Sequence, residues 1–264
     1  MYRFLLSPRW VGLAVFVVIF GALCIRLGFW QFDRLEHRLD RNEYISANLA
    51  AAPVPLDEVH PPGHEITDVT QWKRVTVTGT YDVEHEITVK FLTRDAGPGV
   101  DIVTPLVTKS GTAILVDRGW LATQNGPQRP DDIPEPPDGT VTIVGWLRAD
   151  SGADDHAVKP TDGQVRAISS AAFADFVPYP LYEGYLNLRT QDPATTTALD
   201  LEPVPEQGQG PHFFYALQWW FFSLIGIVGY FWFARTEAQE RRQRASEAAA
   251  ASEVDTMAEP VSSH

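Results

Sequence analysis

Two apolar runs frame the chain and set its plan. From Phe213 to Ala234 there is no charged side chain, and from Trp10 to Trp30 only Arg26 interrupts. About 20 apolar residues carry a helix across a ~30 Å hydrocarbon layer, so the pattern predicts membrane-spanning helices over residues 10–30 and 212–234. Pro211 suits a first helical turn, where a missing N–H costs nothing. The first run is longer than a signal-peptide core and lacks a small-residue cleavage site, which predicts a retained anchor. Gly21 and Gly28, seven apart, share a face that allows close helix approach, and Gly226 and Gly229 offer a similar surface on the second span. The ordinary glycine content of membrane helices accounts for these residues equally well. Past the first span Trp30, Arg34, Arg38 and Arg41 follow one helical stripe beside Asp33, Glu36 and Asp40. The helix therefore runs on into water with a face of ion pairs.

Between the spans the period changes to two. Trp72–Tyr81, Glu86–Thr93, Val100–Val107, Thr112–Asp117, Thr140–Leu147, Gln164–Ile168 and Tyr182–Leu188 read as strands. Gly79 suggests a bulge in the first of them. Gly97-Pro98-Gly99 and Lys109-Ser110-Gly111 read as turns, and 123–139, rich in Pro, Asp and Gly, as a long surface loop. Ser169 or Ser170 is placed to cap a short helix through Phe176. Short strands without long intervening helices predict a mainly antiparallel β domain, a small barrel or sandwich with minor helix. The division is then a leader 1–9, a span 10–30, a β-rich domain 31–211, a span 212–234 and a tail 235–264. The tail starts as a charged helix and is expected to be disordered from about residue 246.

Charge refines this plan. Arg235, Arg241, Arg242 and Arg244 follow the second span, while no Lys or Arg lies between Arg189 and Pro211. That bias puts the C-terminus in the cytoplasm, and two spans return the N-terminus, with Arg3 and Arg9, to the same side. Arg34, Arg38 and Arg41 argue the other way, against a cleaner asymmetry at the second span. Residues 31–211, taken as extracytoplasmic, hold 28 acidic and 14 basic side chains, a net of −14. Such a surface repels nucleic-acid phosphates. The single cysteine, Cys24, lies within the first span, so the β domain has neither a disulfide nor thiolate chemistry.

Motifs for phosphate, dinucleotide or zinc-hydrolase chemistry are absent, as is a nucleophile elbow. His60 and His64 stand near Glu65 and Asp68 in an extended connection that reads as an exposed loop and lacks the fixed spacing of a metal site. Glu84-His85-Glu86 and Asp154-Asp155-His156 each hold an imidazole near carboxylates in turn-like, exposed surroundings. His212 is the better candidate. It opens the second span at headgroup depth, with Tyr215 and Trp219 three and seven residues on along the same stripe. A neutral imidazole beside an apolar, aromatic wall could ligate iron. It could equally be an interfacial polar residue of the aromatic belt.

Several segments together resemble one family. Leu27-Gly28-Phe29-Trp30-Gln31-Phe32-Asp33-Arg34-Leu35 is similar to its signature at the end of the first span. Trp72–Tyr81 resembles its first strand. Thr104-Pro105-Leu106 with Ile114–Trp120 is similar to its central hairpin, Gly145-Trp146-Leu147 to a later strand, and His212–Trp220 to the opening of its second span. On these the chain resembles the surfeit locus protein 1 family from about residue 10 to 234.

The resemblance implies a membrane assembly factor of cytochrome c oxidase, not an enzyme, in a bacterial cytoplasmic membrane. It would hold or present heme A for the catalytic subunit of the oxidase, with heme A synthase as a further partner beside the lipid bilayer. His212 would be the iron ligand. Tyr215, Trp219 and Trp30 would shape the slot, and Arg34 would meet a propionate through its planar guanidinium. The alternative is a heme-independent scaffold acting through the β domain, for which Arg118 and Trp120 are the residues to substitute.

Overall fold

The computed structural model describes residues 3–94, 97–123, 130, 132–208 and 210–258. Its elements are, in order, α1 (Pro8–Ala50), β1 (Val54–Pro55), α2 (Leu56–Val59), β2 (Arg74–Tyr81), β3 (Ile87–Arg94), β4 (Gly97–Thr108), β5 (Ala113–Ala122), β6 (Thr140–Arg148), α3 (Asp155–Val158), β7 (Gln164–Val165), α4 (Ser170–Phe173), β8 (Leu181–Asp192) and α5 (His212–Ala258). They form two compact units, one of residues 1–39 with 208–264, the other of residues 40–207.

The first unit holds the long apolar stretches of α1 and α5, both long and apolar enough to cross a membrane. Most of their large side chains, Phe16, Val18, Phe214 and Phe231 among them, point outward. Small residues face inward where the helices meet. A Cβ on Gly28 would run into the Trp220 indole, and one on Gly21 would lie 3.2 Å from the Ser223 hydroxyl. Gly21 and Gly28 therefore pack, whereas Gly12 of the same span has nothing within 4 Å. Gly226 meets only Phe20, at 3.7 Å, and Gly229 has nothing within 4 Å. Trp10 seals the other end, edge-on to Phe4 and Tyr230.

α1 continues past its apolar stretch to Ala50, as the arginine stripe predicts. α5 likewise continues to Ala258, where disorder was expected from about residue 246. The reason is local. Arg241 pairs with Glu237 and Arg244 with Glu240, each at i,i+4, and the alanines that follow are the best helix formers. The last six residues of the expected disordered tail lie outside the described residues.

The second unit is a mixed eight-stranded sheet in the order β1-β2-β6-β8-β5-β4-β3-β7. Its antiparallel pairs are the expected majority, but β1–β2, β5–β8 and β3–β7 are parallel. The sheet also curls until β2 meets β4 over three residue pairs, which is not a full-length barrel closure. Val75, Val77, Gly79 and Tyr81 of β2 all face inward, and Arg74 to Thr80 run in unbroken register with β6. Gly79 thus marks no bulge. It lies where the backbone of Val107 crosses closely, leaving no room for a Cβ.

Val75, Leu106, Ile143, Leu147 and Leu186 fill one core. Ile87, Leu115, Val165 and Phe173 fill a second, under α4. Each fully buried aliphatic side chain contributes about 1.5–3 kcal/mol. Ser169 caps α4 through Ala172 N, which ends at Phe173 rather than Phe176. Gly97–Gly99, expected as a turn, opens β4 instead, and part of the expected loop 123–139 lies outside the described residues.

Candidate functional site

His212 is the first residue of α5, and its imidazole meets the end of the apolar stretch of α1. Nδ1 of the ring lies 2.9 Å from Oε1 of Gln31. With Oε1 as the acceptor, this hydrogen bond takes the Nδ1–H tautomer of the ring, in which the lone pair is on Nε2. The α1-facing stripe of α5 runs His212, Ala216, Trp220 and Ser223, at i, i+4, i+8 and i+11. Trp220 stacks on Phe32 at 5.1 Å and meets Phe29 edge-on at 5.5 Å, and Phe213 also meets Phe32 edge-on. The Trp220 indole N–H is buried without an acceptor among the described residues.

The other predicted residues stand around this stripe rather than on it. Tyr215 is 46 % exposed, and Trp219 is half-buried, edge-on to Phe222. Trp30 points outward with the Arg34 guanidinium over its ring at 5.6 Å. Arg38, one turn beyond Arg34, donates from Nε to the Gly208 carbonyl at 2.7 Å. A Cβ built on Gly210 would lie 3.3 Å from Arg38 Nη1 and 3.4 Å from His212 Cδ2, so the guanidinium and the imidazole edge flank one small space. Sequence spacing alone missed Gln31, Trp220 and Arg38. Tyr215 and Trp219 fit an i+3, i+7 stripe as well as Ala216 and Trp220 fit i+4, i+8, and only the partner helix decides between them.

The sequence comparison bears on the same segments. The model of the SURF1 family matches residues 18–224, which takes in both helix ends and the whole sheet. The chain belongs to the SURF1 family. A SURF1-like protein of Mycobacterium tuberculosis is 32 % identical over 244 residues, covering 91 % of this chain and 89 % of its own. Surfeit locus protein 1 of Arabidopsis thaliana is 28 % identical over 125 residues, 44 % of this chain and 34 % of its own. A SURF1-like protein of Rickettsia felis is 30 % identical over 112 residues, 41 % and 46 % of the two chains.

In the β unit of this SURF1-family chain two of the other candidate histidines, His60 and His85, are already engaged. His60, expected on an exposed loop, is 2 % exposed and its Nε2 lies 2.8 Å from the Glu183 carbonyl, while His64 stays on the surface. The two do not converge on a metal site. His85 pairs through Nδ1 with Asp82 at 2.8 Å, not with the flanking glutamates, and Tyr179 donates to the same carboxylate at 2.7 Å. Burial opposes the charge on Asp82, but the hydrogen bonds from Tyr179 and His85 outweigh it and hold the carboxyl below its ordinary range. His156 lies exposed on α3.

Arg118 and Trp120 are each 3 % exposed. Arg118 is the extra residue where β5 bulges against β4, since Ile102 faces Gly119 and Val103 faces Asp117. The bulge turns its guanidinium inward to Glu86 at 2.9 Å and to the Pro134 carbonyl. Asp101, Asp117 and Glu202 bring three carboxylates within reach of a cation. Arg94 already occupies that place, 2.9 Å from Asp101 and 2.7 Å from Glu202. Asp117 is satisfied by the Gly119 N–H and the Asn187 amide. Burial raises Asp101 to about 6 against the pull of Arg94, with Glu202 adding to the rise. Burial, with Asp101 and Glu202 behind it, also lifts Asp117 well above the ordinary carboxylate range.

Proposed function

We propose that this protein is a membrane-anchored assembly factor for cytochrome c oxidase that holds heme A and presents it to the catalytic subunit. The observation that carries the reading is the imidazole of His212, hydrogen-bonded through Nδ1 to Gln31 and with no hydrogen bond at Nε2 among the described residues, at the mouth of an aromatic helix pair. The residues present fit an iron porphyrin. A neutral nitrogen donor suits iron. Aromatic side chains from both helices offer planar apolar walls, and one buried indole N–H lacks an acceptor among the described residues.

His212 would hold the iron, and Trp30, Tyr215 and Trp219 would line the outer face of the slot. Arg34 would meet a propionate, with Arg38 as a second cation beside Gly210. Heme A, when bound, would supply the iron porphyrin that the catalytic subunit needs. The protein's own part is to orient the imidazole, exclude water with aromatic side chains and neutralise carboxylates at the rim. No bond of the porphyrin is made or broken in this role, so we infer a chaperone and not an enzyme. The reading includes a bacterial cytoplasmic membrane with both chain ends inside, supported by the arginines that follow the second apolar run.

Complementation separates heme presentation from the heme-independent scaffold. In a strain lacking this protein, His212→Ala is expected to leave the oxidase catalytic subunit present but short of heme, to the level of the empty strain. Normal oxidase heme content with His212→Ala would instead establish the scaffold reading.

A further inference from the structure

We propose that Gln31 is the positioning residue of the His212 site and that its neutral amide sets how long the bound heme is kept. This rests on the reading that His212 ligates heme iron. Gln31 and His212 are 181 residues apart in sequence, yet their side chains meet in one 2.9 Å hydrogen bond across the two helices. Among the described residues the ring makes no other hydrogen bond, and a free imidazole in water distributes its proton over both nitrogens. In the orientation shown, Oε1 of Gln31 accepts from the Nδ1–H tautomer and so holds the ring through one partner across the two helices. The ring is then presented with Nε2 as the ligating atom.

Metal-bound histidines are commonly oriented in this way by an acceptor on the other nitrogen, and a carboxylate acceptor raises the basicity of the ligand. An amide orients the ring without adding a negative charge. It therefore preorganises the ligand while leaving the iron–nitrogen bond weaker than a glutamate would make it. That suits a protein whose cargo must leave. The hydrogen bond also makes ligation depend on helix pairing, since Gln31 and Gly28 lie one turn apart on α1 and Trp220 packs directly on Gly28.

The test uses the full chain in detergent, loaded with heme A, with wild type, Gln31→Leu, Gln31→Glu and His212→Ala compared. Heme dissociation is followed by transfer to an excess of apomyoglobin, and the Soret and α bands are recorded before transfer. Gln31→Leu is expected to dissociate 10–100-fold faster, in line with the loss of an orienting partner to a metal ligand. Gln31→Glu is expected to dissociate more slowly than wild type, with shifted bands, a change of opposite sign that mere damage to the fold cannot produce. If both Gln31 variants release heme at the wild-type rate with unshifted bands while His212→Ala binds none, Gln31 does not position the ligand and the heme reading stands. If His212→Ala retains heme with wild-type bands, the heme reading fails and this inference with it.

Discussion

Arg118 keeps its charge where water is excluded, through a carboxylate, a carbonyl and the face of Tyr81 5.8 Å away. Removing one partner leaves Glu86 charged and buried, so Arg118→Ala is expected to destabilise the β unit by about 3–5 kcal/mol. Chemical denaturation of the full chain, followed by tryptophan fluorescence, measures this. A loss of oxidase assembly in that variant would report unfolding and not a docking surface, which removes Arg118 and Trp120 as tests of a scaffold.

Asp101 gives a second residue-scale expectation. Its folded value of about 6 lies above the ordinary 3.8, so between about pH 4 and 6 the folded chain holds a proton that the unfolded chain has released. Stability of the β unit therefore falls as pH rises across that window, and Asp117 extends the fall upward. Asp82, held low, acts below this window and is lost as pH falls through its folded value. Thermal unfolding midpoints at pH 4.5 and 6.5 are expected to be higher at the lower pH, and Asp101→Asn to flatten the difference. None of this burial was legible in the sequence. Asp117-Arg118 reads as a charged pair at a strand end, because a bulge that turns both inward leaves no mark on the period-two pattern.

At the scale of elements the sequence was more informative. The strands β2 to β8 fall within a few residues of the alternating segments, because alternation follows directly from one buried face. What alternation does not encode is the partner. Tyr182–Leu188 reads equally well beside an antiparallel or a parallel neighbour, and in β8 it has one of each. The glycines of the first span were ambiguous for the same reason, since their meaning depends on the facing helix. Gly28 is the most exacting of them. Gly28→Leu is expected to push Trp220 away and to lower heme retention at least tenfold, while the unfolding midpoint of the β unit stays at its wild-type value. Equal heme retention in that variant would show that close approach at Gly28 is not needed for the site.

For the whole molecule, two apolar helices and a β-sheet domain were readable from hydropathy and period, though not the parallel pairs of its mixed sheet, and the imidazole from its place at a span's mouth. The rest of the site was not, because Gln31, Trp220 and Arg38 gain their meaning only from the other helix. The proposed orientation in the bilayer rests on the arginines after the second span. With Cys24 replaced by serine, a cysteine put in for the exposed His64 is expected to react with a membrane-impermeant maleimide in intact cells, and one put in for Ser246 only after lysis. The most direct measurement is the absorption spectrum of the full-length protein purified from cells that make heme A, wild type against His212→Ala. A heme A spectrum in the wild type that is lost in a correctly inserted His212→Ala protein is the expected result. Equal heme content in the two proteins would contradict the account.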